Sequence, residues 1–236
     1  MSILIIHHVV TNNLGILENV LIRRNLPFQY RFCHNLTPAD IALEAHRGLI
    51  ILGGQESAAD DQMHPFMPLE HQMIRSAMAQ GLPVFGICLG AQMMARSLGV
   101  RVEKNKVAGI ETKEIGWTPL TLTPEGLKDP VLSTLEGMAQ FQWHEDTYHL
   151  PPGAVQLAAS ELCPQQAFCL PNTASPAYGV QFHPEVTLAV IRAWLAASKT
   201  LNPERSQAIW QETEQHFATR SAASVRMFEA FCERAF

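Results

Sequence analysis

Along the first hundred positions, short unbroken apolar runs alternate with stretches whose apolar residues fall at helical spacing. Residues 3–10 read as a strand, and Asn12-Asn13 offer an N-cap for a helix reaching about Arg24. Phe28 to Cys33 alternates like a second strand, and Pro38 opens a short helix. Gly48 to Leu52 is a continuous apolar strand that stops at Gly53-Gly54. An irregular loop with Asp60-Asp61 follows, then a helix from about Leu69 to Gln80. Pro83 to Ile87 gives the next strand, and Ala91 to Leu98 a helix closed by Gly99. Unbroken apolar strands alternating with helices predict an α/β fold, a mostly parallel central sheet flanked by helices on both faces. Ligands of such sheets bind beyond the carboxyl ends of the strands.

After Gly99 the pattern changes to shorter β segments at 115–122, 140–144, 155–159, 166–170 and 178–182. They predict a small antiparallel lobe and the continuing edge of the main sheet. A helix over 186–197 carries Val186, Val190, Ile191 and Trp194 at helical spacing. Asn202-Pro203 interrupts the chain, and 204–236 read as one or two amphipathic helices with Trp210, Phe217, Met227, Phe228 and Phe231 on the apolar face. The expected division is a domain over 1–196 and a C-terminal helical extension over 197–236. The apolar face of that extension packs on the domain or meets a partner, which leaves a homodimer open.

Composition narrows the classes. The 236 residues are 47% hydrophobic and 17% charged, with net charge −5, so the chain can bury an ample core. It has no basic run that would propose a nucleic-acid or anionic-membrane partner. No run approaches the ~18 apolar residues of a membrane span, and Ser2 to His8 is too short and uncharged to read as a signal peptide. Five cysteines, at 33, 88, 163, 169 and 232 without Cys-x-x-Cys spacing, suit a reducing, cytoplasmic setting better than a disulfide framework. The ten histidines include no His-x-x-x-His pair, so neither a metal nor another cofactor is expected.

The candidate chemistry centres on Gly86-Ile87-Cys88-Leu89-Gly90-Ala91-Gln92. Cys88 falls on the turn from strand to helix, the arrangement of a nucleophile elbow, in which flanking glycines permit a sharp bend and leave room for substrate beside the thiol. The helix N-terminus favours a thiolate there. Gln92, four residues on, returns to the same helix face. A cysteine nucleophile needs a base, an orienter for it and oxyanion donors. His183 closes a strand before Pro184, and Glu185 two residues further along extended chain falls on the same side. His144 with Asp146 has the same spacing, and both pairs stay open as the base. The N–H of Leu89 and the Gly53-Gly54 turn are the candidate oxyanion donors.

Gly53-Gly54, Gly86 to Gln92 and Gln181-Phe182-His183-Pro184-Glu185, in that order, resemble the class I (triad) glutamine amidotransferases, with their flavodoxin-like fold. Glu114-Ile115-Gly116-Trp117 and Trp143-His144-Glu145-Asp146-Thr147 are closer to the stand-alone, GMP-synthase-like branch. The resemblance covers about 1–196. It implies Cys88 as nucleophile on the side-chain amide of glutamine or a γ-glutamyl bond, His183 as base and acid, and Glu185 as orienter. It further implies Gly53, Gly54 and Leu89 as oxyanion donors and Gln92, Trp143 and His144 as substrate contacts, which removes His144 and Asp146 from the role of base. Gln55 stands where the family usually has proline, and Trp143 where GMP synthases tend to have a small polar residue. The chain carries no Gly-rich phosphate loop or ATP-pyrophosphatase module, so ammonia would pass to water or to a separate synthetase subunit. Two other readings compete: a non-catalytic or redox-sensing binding protein, and an α/β-hydrolase-type enzyme. The first has no need of the His183–Glu185 pair, and the second expects its acid before its histidine.

Overall fold

In the computed structural model, which describes residues 1–61 and 63–236, β1 (Ser2–His7) turns Ile3 and Ile5 to one face of the main sheet and Leu4 and Ile6 to the other. All four are buried, so this strand needs cover on both sides. The elements that follow are α1 (Glu18–Arg23), β2 (Phe28–Phe32), β3 (His46–Ile51), α2 (Phe66–Ala79), β4 (Val84–Ile87) and α3 (Leu89–Ser97). Next come β5 (Val102–Lys104), β6 (Lys106–Val107), β7 (Ile110–Glu111), β8 (Glu114–Pro119), β9 (Thr121–Leu122) and α4 (Pro124–Lys128). The chain continues through β10 (Ala139–His144), β11 (Asp146–Tyr148), β12 (Val155–Ala159), β13 (Ala167–Cys169) and β14 (Ala177–Val180), and closes with α5 (Leu188–Ala197) and α6 (Pro203–Ala235).

The main sheet has the order β2-β1-β3-β4-β14-β13-β12-β9. It is parallel from β2 through β14 and antiparallel beyond. Leu4, Ile6, Leu49, Ile51 and Val84 pack under α2 and α3, while Ile3, Ile5, Ile50, Phe85 and Ile87 face the other way, toward Met227, Phe228 and Phe231 of α6. Phe231 and Phe228 stand 4.9 and 5.6 Å from Phe85, ring centre to ring centre. At about 1.5–3 kcal/mol for each fully buried aromatic, this makes α6 one of the two walls of the sheet. A third apolar group joins the β8–β10 ribbon to α5 and α6 through Trp117, Phe141, Val186, Ile191 and Ile209.

The structure departs from the pattern reading where local chemistry outweighs it. The strand expected at 115–122 is two: β8 ends at Pro119, which has no N–H to donate, and β9 joins the edge of the main sheet through β12. Asn12-Asn13 do not cap α1. Asn13 Oδ1 accepts the N–H of Gly15 at 2.9 Å, a 3-10 turn fills Gly15–Leu17, and α1 starts at Glu18 without a side-chain cap. β14 stops at Val180, which releases 181–187 from the sheet. The expected one or two helices over 204–236 are one, Pro203–Ala235, because nothing within it breaks it, and Asn202 caps it through Oδ1 and the N–H of Arg205 at 2.8 Å. The pattern also missed β5, β6 and β7, which are two or three residues long and mostly exposed. Among the described residues no helix is long and apolar enough to cross a membrane.

Candidate active site

Cys88 is the single residue between β4 and α3, at φ 53° and ψ −108°. A side chain in that region costs about 1–3 kcal/mol, so firm neighbours must hold it there. Its N–H donates to Val180 O at 2.8 Å, and its carbonyl accepts from the N–H of Gln92 at 3.1 Å. The thiol therefore sits at the N-terminus of α3, on the positive end of the helix. Gly86 and Gly90 serve the packing of the elbow. A Cβ on Gly86 would meet the Gly90 carbonyl at 2.6 Å, and one on Gly90 would meet Ile51 O at 2.2 Å, so both glycines let α3 seat directly on the strand ends.

His183 and Glu185 lie past the end of β14, on a turn. The N–H of His183 donates to Phe141 O at 2.8 Å, which ties the turn to β10. Glu185 Oε1 lies 2.7 Å from His183 Nδ1, and both side chains are buried. In that contact the Nδ1–H donates to the carboxylate, and Nε2 has no hydrogen-bond partner among the described residues. The Glu185 backbone is held in turn, its carbonyl accepting from the N–H of Ile16 at 3.0 Å. Gly15, at φ +50°, permits this, since a Cβ there would stand 2.0 Å from Glu185 O. Burial pulls the imidazole toward neutrality, but the Glu185 carboxylate and the Cys88 sulfur outweigh it and raise the pKa of His183 to about 10.

The Gly53-Gly54 turn closes over this pair. A Cβ on Gly53 would lie 3.0 Å from His183 Cε1 and 3.5 Å from Cys88 Cβ, and one on Gly54 would lie 2.5 Å from Leu89 Cδ2. The turn thus lies against the side chains of Cys88, His183 and Leu89, and a side chain at either glycine would crowd them. Gln55, the departure noted above, is exposed, and its N–H donates to Glu56 Oε2 at 3.0 Å.

The remaining candidates form the floor and wall. Gln92 is buried, and its Nε2 donates to Asp146 O at 3.2 Å and Gln181 Oε1 at 3.1 Å. It braces the site here and shows no free amide proton to solvent. Gln181 completes the chain, with Nε2 donating to Cys88 Sγ at 3.6 Å. Trp143 is half-buried, with its carbonyl 4.0 Å from Cys88 Sγ and its ring 5.7 Å from that of Trp194. Trp194 in turn meets His183 edge to face at 4.9 Å. His144 and Asp146 do not pair through their side chains. His144 Nε2 lies 3.0 Å from Glu114 Oε2, whereas the Asp146 carboxylate takes Lys104 at 2.8 Å and the Ser57 hydroxyl at 2.5 Å. Glu114, His144 and Cys163 are the one group among the described residues close enough to hold a metal ion. Glu114 Oε2 there already meets both His144 Nε2 and Gln166 Nε2, and Cys163 contacts Thr147 and Gln165 O.

Gln181 was hidden as part of a strand pattern, and Trp194 as one of several apolar residues on a helix. A side chain's approach to the sulfur or imidazole from a distant element leaves no local mark in sequence.

A thiol at a helix N-terminus, a buried imidazole held by a carboxylate, and adjacent backbone donors together suit nucleophilic attack on a carbonyl. The family model for class-I glutamine amidotransferases matches residues 9–198. The glutamine-hydrolyzing GMP synthase of Photobacterium profundum is 34% identical over 156 residues, 63% of this chain and 27% of that protein. The glutamine amidotransferase-like protein YfeJ of Salmonella typhimurium is 32% identical over 155 residues, 64% of this chain and 62% of that one. The chain thus spans about a quarter of the synthase and under two thirds of YfeJ. A crystal structure of a glutamine amido transferase from Methylobacillus flagellatus superposes with a TM-score of 0.85 at 28% identity, over 100% of this chain and 95% of the other.

Proposed function

The chain belongs to the class I glutamine amidotransferase family, and from that membership we propose that it hydrolyses the side-chain amide of glutamine, or a γ-glutamyl amide bond, through a γ-glutamyl thioester on Cys88. Cys88 gives its thiol proton to His183 Nε2 as the sulfur attacks the amide carbonyl carbon, and the N–H groups of Leu89 and the Gly53-Gly54 turn receive the oxyanion. Protonated His183 hands its Nε2 proton to the departing nitrogen, the C–N bond breaks, and ammonia or an amine leaves. Water then attacks the thioester carbonyl while giving a proton to His183. The C–S bond breaks, glutamate leaves, and the proton returns to the sulfur. Glu185 holds the tautomer throughout and stabilises the imidazolium. Trp143 with 144–146 forms the wall against which the substrate's amino-acid end lies, and Gln92 braces that wall from behind.

The observation that carries this reading is the buried His183, held by Glu185 at 2.7 Å, beside a cysteine in the strained elbow conformation. A redox-sensing thiol would need no such proton shuttle. Ammonia is released to solvent or handed to a separate synthetase subunit.

Glutamate release from glutamine and from a panel of γ-glutamyl peptides and amides tests the proposal, with Cys88→Ala as control. Turnover of one of these substrates that Cys88→Ala abolishes while the far-UV circular dichroism stays the same is the expected result. A folded Cys88→Ala protein that still turns the substrate over would overturn the mechanism. No turnover by the wild type alone, followed by turnover when a synthetase is added, would assign it to the subunit arm.

A further inference from the structure

Arg220 of α6 reaches the turn that carries Glu185, and it lies outside the stretch matched by the family model. Its side chain is almost wholly buried, at 1% exposure, and it makes no ion pair among the described residues. A buried guanidinium without a carboxylate is costly, and a methionine would fill the same space at no such cost. What the guanidinium does touch is the turn that carries Glu185. Nη1 donates to Pro184 O at 3.0 Å, and Nη2 reaches Val186 O at 3.4 Å. The carbonyls on either side of Glu185 are thus held by one rigid planar group. The guanidinium carbon lies 5.1 Å from the ring centres of both Trp117 and Phe217, which fixes its plane. Trp117 is locked in turn, its Nε1 donating to Thr213 Oγ1 of the same helix at 2.9 Å. Burial lowers the Arg220 pKa to about 10, and Glu185 is the one charge that opposes this.

We propose that Arg220 is a positioning residue for the reaction: by clamping the carbonyls of Pro184 and Val186 it sets the direction of the Glu185 carboxylate, and through it the ring of His183. The inference rests on the amidohydrolase reading above and adds α6 to the apparatus of the site. A lysine at 220 keeps the charge and reaches one carbonyl, but it cannot bridge both with a fixed plane. An alanine leaves a cavity shaped for a guanidinium ion, and a methionine fills that cavity.

The test compares Arg220→Met, Arg220→Ala and Arg220→Lys with the wild type, in the full chain. It uses two readouts: kcat and KM for glutamate release, and the rate at which iodoacetamide alkylates Cys88, followed by mass spectrometry of the Cys88 peptide. Arg220→Met is expected to lose about tenfold or more in kcat, the scale of a lost hydrogen bond to a charged group, with KM nearly unchanged and Cys88 alkylation slowed. Arg220→Lys should recover part of the loss. Guanidinium ion, at concentrations too low to unfold the protein, should restore part of kcat to Arg220→Ala and none to Arg220→Met. A folded Arg220→Met protein with wild-type kcat and alkylation rate overturns the proposal. So does a loss that neither lysine nor guanidinium repairs and that simply follows the melting temperature, since that is the mark of packing alone. If Arg220→Met does not fold, the Lys and guanidinium arms decide. A wild type that releases no glutamate, alone or with a synthetase added, refutes the amidohydrolase reading, and the alkylation rates still decide the role of Arg220.

Discussion

Gly90→Ala sets two effects against each other. Gly90 is the second residue of α3, and at an unhindered helical site alanine is favoured over glycine by about 1 kcal/mol. Here the added Cβ would stand 2.2 Å from Ile51 O, 2.8 Å from the Ile51 carbonyl carbon and 3.0 Å from Ile51 Cβ. The first two are backbone atoms of β3, in the middle of the main sheet, and cannot rotate away. To restore ordinary contact α3 must withdraw by about 1 Å, and overpacking of that kind costs about 1–3 kcal/mol, here about 2–3 because the obstruction is rigid backbone. The clash wins, with a net loss of about 1–2 kcal/mol. For a domain of this size each kcal/mol moves the melting temperature by roughly 2–4 °C, so a fall of about 2–8 °C is expected. The same withdrawal displaces the Leu89 N–H and the elbow, and a 1 Å misplacement costs about a hundredfold in rate. Thermal and urea denaturation followed by circular dichroism, together with glutamate release, measure both. A Gly90→Ala protein as stable as the wild type, or more so, would refute the packing role assigned to this glycine.

The elbow makes Cys88→Gly and Cys88→Ala unequal: both lack the sulfur, but only alanine retains the strain of φ 53°, so the glycine variant should be more stable by about 1 kcal/mol in urea unfolding, and the reverse order would show that the elbow is unstrained. His183 is held well above its ordinary 6.5, so its contribution to stability is complete below about pH 6.5 and is lost as the pH rises through about 10. Glu185→Gln removes the main group that raises it, so the stability gap between wild type and Glu185→Gln should narrow across that window, and a gap that widens with pH would contradict the assignment. Phe231→Ala, at a fully buried ring against Phe85, Phe228 and Tyr178, should cost about 3–5 kcal/mol, and a loss below 1 kcal/mol would mean that α6 is only loosely attached.

The parts of this molecule readable from sequence are those whose cause is local. β1, β3 and β4 show as apolar runs because both of their faces are buried, and the elbow shows because a thiol between strand and helix is flanked by residues without side chains. His183 and Glu185 stand two apart in the chain, so their nearness follows from short-range geometry. What sequence leaves hidden depends on contacts between distant segments. The partner of His144 is Glu114, thirty positions earlier, brought opposite by the register of β8 and β10. The bond from Gln181 to the sulfur and the approach of Trp194 to His183 arise only when β14, α3 and α5 converge. Arg220 sits within an amphipathic pattern in which an arginine reads as a surface residue, and only the packing of α6 on Trp117 turns it inward.

The wall that α6 gives the main sheet also bears on the order in which the protein becomes competent. Phe85, which α6 covers, lies three residues before Cys88, and Pro184 and Val186, which Arg220 holds, flank Glu185. These are contacts of long sequence separation, and such contacts form late in folding. As the chain leaves the ribosome, Cys88, His183 and Glu185 are all made before the 33 residues of α6, which take a few seconds more at about 5–20 residues per second. During that interval the thiol belongs to a protein whose sheet is still bare on one side. The wall that α6 supplies and the clamp from Arg220 are thus made only after every group they hold in place.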